Sequence, residues 1–356
     1  MIYLGGFLIT FLLFKLVEKI KNKKMQIIWI IISCIPLSFI AGIRAENIGT
    51  DLLVYVKPIF KLSCSTGNFF SLLKLKPDTE IGYLLLNWLI SRFTVDFHVY
   101  LFVLEFIIMI SYSIGIYRFK DKCSISFGML IFCLVFYNRS LNIVRQMLAV
   151  SIIFLNLKNY FDNKNLKFIS SIFIATMFHN SAVLLLPIFY FSKLKNIKLK
   201  IILYGLLISA LFFYNDILQI LINLGILNFK YYNYIDKFSI SFTFNIGEEF
   251  LRVFFIILLY LFRYSNLMEK KYIGKLDMFV IFDFILLQLG CFTQYASRIT
   301  WYFLTIYVYI FSYMKLFSKK KNIMTMILCI GLLLYWWWSF IYCGYGETYP
   351  FQKYLI

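Results

Sequence analysis

Charge is scarce in this sequence. Asp, Glu, Lys and Arg make up only 15% of its 356 residues, where a soluble domain carries about a quarter. Histidine appears twice. There is no P-loop, no GxGxxG and no polar stretch long enough for a soluble domain, so binding of ATP or a nucleotide sugar on the cytoplasmic side is not expected. The seven cysteines form no CxxC pair and no Cys/His spacing, and no Asp-x-Asp occurs, so neither a metal nor a redox motif is present. Five of the cysteines (Cys34, Cys123, Cys133, Cys291, Cys329) lie within apolar runs and read as small core residues.

Apolar residues fill the space that charge leaves. The chain is 62% hydrophobic and 21% aromatic, with a mean hydropathy of +0.79. Apolar runs near the length that crosses a bilayer, about 20 residues, recur along its whole length. The short alternating strands of a β-barrel are missing. These features predict an all-α polytopic membrane protein of about 10–12 transmembrane helices, forming a single integral membrane domain over 1–356. Spans are expected near 3–18, 25–43, 98–117, 123–138, 142–157, 201–221, 248–264, 277–296, 299–314 and 323–343. The first run is apolar and then basic (Lys19, Lys21, Lys23, Lys24). That is the reverse of a signal peptide's order, so it reads as a first span with its N-terminus outside.

Three short apolar pieces do not fit a simple span. Residues 168–178 and 181–191 flank His179-Asn180-Ser181, with lysine clusters on both sides. A tight hairpin or pair of half-helices places both clusters in the cytoplasm. The piece 80–93 reads as a re-entrant or interfacial helix on the outer face. The large loops, about 44–79 and 222–247, are then outer ones.

The net charge of +19 would suggest nucleic acid in a soluble protein. Here it fits the excess of lysine and arginine in cytoplasmic loops, and no nucleic-acid partner is expected. The two basic residue types divide unequally. Most of the 28 lysines fall on the cytoplasmic side, whereas six of the eight arginines (Arg44, Arg92, Arg139, Arg145, Arg252, Arg298) sit at outer ends of spans or in outer loops. Topology does not require arginine there. Its planar fork holds phosphate at two points, as lysine cannot. Pairing with acids or with lipid phosphates is the alternative for each of them.

Five stretches concentrate polar chemistry. Arg44 to Tyr55 reads RAENIGTDLLVY, with Gly49 suited to a tight turn and Tyr55 to stacking on a sugar ring; a capped helix starting near Thr50-Asp51 is the plainer reading. Glu80-Ile-Gly-Tyr83, followed by Asn87 and Trp88, places a carboxylate at the start of a short apolar helix. The helix dipole favours it there, and it could also serve as a general base. Arg145-Gln146 opens a span, and an arginine in an apolar helix suggests function. His179 sits at a helix break of the kind tolerated where a cavity is lined. Arg298 precedes Trp301-Tyr302-Phe303.

In this order the motifs Arg44…Gly49-Thr50-Asp51…Tyr55, Glu80-x-Gly-Tyr83…Asn87, Arg145-Gln146-x-x-Ala149, Phe178-His179-x-Ser181-Ala182 and Arg298…Tyr302 resemble the EpsG-type family, which belongs with the Wzy-type O-antigen and capsule polymerases. The resemblance covers about residues 40 to 305. It implies a GT-C-like glycosyltransferase of the bacterial inner (cytoplasmic) membrane. Such an enzyme joins undecaprenyl-diphosphate-linked oligosaccharide repeat units on the outer side, needs no cofactor or metal, and works in the bilayer with a flippase and a chain-length regulator. On this reading the base is Glu80, Asp51 or His179. Arg145 and Arg298, assisted by Arg44 or Arg139, hold the diphosphate, while Tyr55, Tyr83, Gln146 and Tyr302 meet sugar.

Three other functions would use similar materials. A flippase or transporter of the same lipid would show internal repeats and charges along a central path, but only Glu105 and Asp283 lie deep. A membrane acyltransferase would gather its polar residues on the cytoplasmic face. A glycan ligase would share nearly the same site chemistry.

Overall fold

The computed structural model describes residues 2–225, 244–264, 270–291, 294–317 and 321–354. They are predominantly helical and include no strand; the one β feature among them is an isolated antiparallel bridge between Arg44 and Lys353. Three helices are long and apolar enough to cross a membrane: Lys23–Gly42, Phe97–Tyr117 and Thr325–Tyr342. Shorter apolar helices include Ile81–Ser91, Ile125–Ser140, Val144–Leu155, Asn165–Thr176 and Asn180–Phe191. Several expected spans are interrupted. The run near 201–221 divides at Phe213 into Ile197–Phe212 and Tyr214–Asn223, and the run near 299–314 divides at Thr305 into Gln294–Leu304 and Ile306–Phe317.

Local capping sets many of the helix starts. Asn22 accepts from the backbone N–H of Lys24 at 2.9 Å, Asp96 from His98 at 2.7 Å and Ser124 from Phe127 at 3.3 Å. Each satisfies an N–H that the first turn leaves without an intrahelical partner. The long helices Lys23–Gly42 and Phe97–Tyr117 pack antiparallel, and Gly42 meets Phe102 and the His98 carbonyl.

The expected outer loop 44–79 is mostly helical. It contains a wide π turn at Leu52–Val56 and helices Lys57–Ser65 and Phe69–Leu75. Leu52, Val56, Ile59, Phe60 and Ser63 are buried, a helical period on a segment whose charged flanks look like loop. Of the loop expected at 222–247, residues 226–243 lie outside the described residues. The short pieces form short helices: 80–93 contains the helix Ile81–Ser91, and the hairpin consists of Asn165–Thr176, a turn through Met177–His179, a 3₁₀ turn Asn180–Leu184 and Leu185–Lys193.

The helical body has two chemically different ends. At one, Glu18 accepts from Ser124 and Ser126, Gln26 meets Tyr117 and Lys120, and Arg118 donates to the Leu155 carbonyl and to Asn159. The lysine clusters belong to this end. At the other end meet the C-terminus of Lys23–Gly42, the N-termini of Phe97–Tyr117 and Val144–Leu155, and the turn at 177–179. That end carries Arg44, Arg92, Arg139, Arg145 and Arg298.

A candidate active site at the arginine-bearing end

Two glycines bring four of the sequence motifs together. Gly49 has a φ of +93°, and a side chain there would meet the Leu141 carbonyl oxygen at 2.8 Å. This contact seats the RAENIGTD stretch on the turn that precedes Arg145, where the Asn142 side-chain carbonyl accepts from the Asp51 N–H at 3.0 Å. Gly82 does the same for the second pair. A Cβ at that position would lie 2.8 Å from both the Cβ and the carbonyl oxygen of Met177. Without one, the N–H groups of Gly82 and Tyr83 donate to that carbonyl at 2.8 and 3.2 Å. The Glu80 motif therefore lies against the turn that carries His179.

Glu80 precedes its helix without capping it. Its carboxylate accepts instead from Arg145 Nη1 at 2.9 Å and from the Asn180 N–H at 3.4 Å. The pair is unequally covered, with the Glu80 side chain 7% exposed and that of Arg145 26%. The Arg145 guanidinium also lies 5.4 Å from the Tyr55 ring centre and 5.9 Å from that of Tyr83, within range of cation–π attraction. Tyr55 is 44% exposed, whereas Tyr83 is fully buried and pairs with the Tyr100 hydroxyl.

His179 extends this arrangement. Its Nδ1 lies 2.6 Å from Ser181 Oγ, which lies 3.1 Å from the Tyr302 hydroxyl. Gln146 donates to the backbone carbonyl of Arg298, fixing the position from which the exposed Arg298 side chain extends. Asp51 begins its helical segment without a side-chain cap bond. Burial raises its carboxyl above the ordinary value, against the opposing pull of Arg298 and Arg145.

The structure thus gathers Asp51, Glu80, His179, Arg145, Arg298, Tyr55, Tyr83, Gln146 and Tyr302. The other two arginines assigned to the diphosphate stand apart. Arg44 is 2% exposed, and its Nε and Nη1 have no hydrogen-bond partner among the described residues. Glu105 is the acidic group that bears on it, with the neutral hydroxyls of Tyr137 and Tyr3 nearby. Arg139 pairs with Glu248 and Tyr335 and stacks 3.8 Å from the Trp301 ring centre. Glu248 pairs in turn with Arg252, whose Nε reaches Asp283 at 3.2 Å, and Asp283 accepts from Thr300 at 2.8 Å. This cluster consumes two of the six outer arginines in ion pairs. A third, Arg92, is held by the Ser63 and Thr66 carbonyls and stacks on Trp88.

Sequence reasoning missed Asn142, Glu248 and the last ordered segment. The spacing of Glu248 and Arg252, four apart on one helix, was a signal, and so was the deep acid Asp283. The last segment gives none in isolation. Ala45 N–H donates to the Gln352 carbonyl at 2.8 Å, Tyr354 N–H to Ile43 at 2.9 Å and Gly49 N–H to Glu347 at 3.1 Å. Asn138 bonds Thr348 at 2.9 Å and accepts from Trp336 at 2.7 Å.

The model of the EpsG family matches residues 27–354. The match runs past the last sequence motif to the segment that pairs with Ile43–Gly49. Comparisons with curated proteins and with solved structures gave no match.

Proposed function

The chain belongs to the EpsG family, and on that premise we propose that it is a polysaccharide polymerase of the bacterial cytoplasmic membrane, joining undecaprenyl-diphosphate-linked oligosaccharides. The observation that carries this reading is the convergence of Arg145 and Arg298 on Asp51 and His179, next to the Glu80–Arg145 pair. The lysine-rich end faces the cytoplasm by the positive-inside rule. The arginine-bearing end then opens to the periplasm or cell exterior, where a substrate that has already crossed the membrane on its lipid can reach it. A flippase must deliver that substrate, and a chain-length regulator is a further partner.

In the reaction, an acceptor hydroxyl attacks the anomeric carbon of the donor sugar. The new bond joins the hydroxyl oxygen to that carbon. The bond between that carbon and the diphosphate oxygen breaks, and undecaprenyl diphosphate leaves with the electron pair. Charge grows on the leaving diphosphate, and preorganised cations in a low-dielectric site stabilise it best. Arg145 and Arg298 take that part without a metal, since guanidinium groups match phosphate oxygens in geometry. Arg44 and Arg139 do not share it: Arg139 is paired with Glu248, and Arg44 is buried on the side of Glu105.

The hydroxyl proton goes to a base. Of the three candidates, Glu80 is occupied by Arg145 and the Asn180 N–H, and His179 by Ser181. Asp51 has a carboxyl raised by burial and makes no cap bond, so it is the base we favour. Glu80 then orients Arg145. His179, with Ser181 and Tyr302, forms a polar wall along which sugar hydroxyls can align, and Tyr55 offers its exposed ring.

The test is glycan length in a deletion strain that carries either wild type or Arg145→Ala, with membrane expression checked. The reading expects a ladder with wild type and single repeat units with Arg145→Ala. Loss of all surface glycan on deletion would mark a flippase or an earlier enzyme. A ladder that survives deletion, together with failure to attach finished glycan, would mark a ligase.

A further inference from the structure

A cavity of about 220 Å³ adjoins the site. It is lined by Arg139, Asn142, Asn245, Trp301, Phe340 and Tyr345, among others. Its size is below the about 300–1,000 Å³ of pockets for drug-sized ligands and suits a single sugar ring.

The lining has a particular chemistry. Tyr345 is half-buried and offers a ring face, while Trp301 and Phe340 are nearly covered. The amides of Asn142 and Asn245 bring N–H donors, their oxygens already accepting from the Asp51 and Glu248 N–H groups. A guanidinium is present too, yet it brings no net charge. Arg139 is paired with Glu248, Glu248 with Arg252, and Arg252 with Asp283. Two cations and two anions balance within one buried cluster. A phosphate entering the cavity would lose its hydration without gaining an uncompensated cation. Stacking on Trp301 at 3.8 Å and on Phe340 at 5.3 Å fixes the guanidinium. Its Nε nevertheless remains buried with no hydrogen-bond partner among the described residues. A ring face and amide donors around a cavity without net charge are features that recognise a neutral pyranose.

The cavity also has a fixed relation to the reacting centre. Asn142 lines it and holds the Asp51 backbone through its side-chain carbonyl at 3.0 Å. Asp51 is the base favoured above, and a base serves the acceptor rather than the donor. We propose that this cavity is the acceptor-sugar subsite. It seats one neutral sugar of the acceptor oligosaccharide against Tyr345 and the Asn142 and Asn245 amides, so that a hydroxyl of that glycan reaches Asp51. This inference rests on the polymerase reading and adds to it the place and charge class of the acceptor.

The test uses the full chain purified in detergent and titrated calorimetrically with three probes. The first is the host's own single repeat-unit oligosaccharide, freed from its carrier by mild acid. The second is inorganic pyrophosphate, and the third is maltotriose as an unrelated sugar. The variants are Tyr345→Ala and Asn245→Asp. The latter keeps the oxygen that accepts from the Glu248 N–H while replacing the amide donor with a charge. Each variant should bind the repeat unit about tenfold more weakly, the loss of one stacking face or one paired amide, and should bind pyrophosphate as wild type does.

Unchanged repeat-unit binding in folded variants overturns the subsite. So does parallel loss of pyrophosphate binding, or wild type that prefers maltotriose. The cellular ladder, scored alongside, separates the two readings. A ladder that depends on wild type while both variants bind normally overturns the subsite alone. A ladder independent of the protein overturns the polymerase reading.

Discussion

Arg145 and Glu80 lie 65 positions apart in sequence and meet at 2.9 Å between Nη1 and Oε2. The contact forms although Glu80 sits where a helix-capping carboxylate would serve its own first turn. It leaves that turn uncapped and turns toward the arginine. Of the six arginines that the sequence places on the outer side, Arg145 and Arg298 are the ones whose charges bear on Asp51.

If Glu80 orients Arg145, the two substitutions will not add. Glu80→Gln keeps an oxygen for the Asn180 N–H but removes the charge facing the guanidinium. It should lower the polymerisation rate about tenfold, and Arg145→Ala by about 10²–10³-fold, as for loss of one preorganised charge-stabilising donor. The double variant should be no slower than Arg145→Ala alone. Initial rates on lipid-linked repeat units measure all three.

Asp51 predicts a pH dependence. Its carboxyl titrates above the ordinary Asp value because burial disfavours the charged form, and a base works only when deprotonated. The rate should therefore fall as pH drops through a midpoint above about 3.9. Asp51→Asn should abolish that acid limb along with most of the activity. A rate profile between mildly acidic and neutral pH, for wild type and variant, checks it.

Gly82→Ala should separate the Glu80 motif from the His179 turn. The added Cβ meets Met177 Cβ and oxygen at 2.8 Å, and overpacking of this kind costs about 1–3 kcal/mol. Melting temperature and rate should both fall. Gly5→Ala, with nothing within 4 Å of its added Cβ, should change neither.

Arg252 and Arg298 should behave oppositely. Arg252 is fully buried between Glu248 and Asp283, and breaking a buried pair by removing one partner costs about 3–5 kcal/mol. Arg252→Ala should reduce the folded protein recovered from membranes. Arg298 is exposed, so Arg298→Ala should leave stability within about 0.5 kcal/mol and still lose activity. Thermal stability in detergent, measured beside the rate, distinguishes the two arginines.

Much of this was legible from periodicity and charge. The long apolar runs lie on helices, the short pieces 80–93 and 168–191 form short helices, and residues of all five motifs meet at one end. What escaped was of two kinds. The segment 44–79 looks like loop because its lysines and small polar residues dilute a helical pattern that only burial of Leu52, Val56, Ile59 and Phe60 makes plain. The partner of Arg139 was hidden because ion pairing joins residues distant in sequence, as Arg139 joins Glu248 from 109 positions away. An arginine's type announces a need for an anion, and only the fold says whether a carboxylate already meets it.

The pairing of residues 347–354 with the Ile43–Gly49 stretch bears on biogenesis. Gln352, which the Asn47 amide reaches, leaves the ribosome 305 residues after its partner. The stretch before Asp51 therefore waits, through the synthesis of the 305 residues between them, for the segment that pairs with it. If Asp51 is the base, a nascent chain that ends before Glu347 would carry the arginines and Asn142 but lack the backbone hydrogen bonds that hold Ile43, Ala45 and Gly49, and activity would arrive only with them.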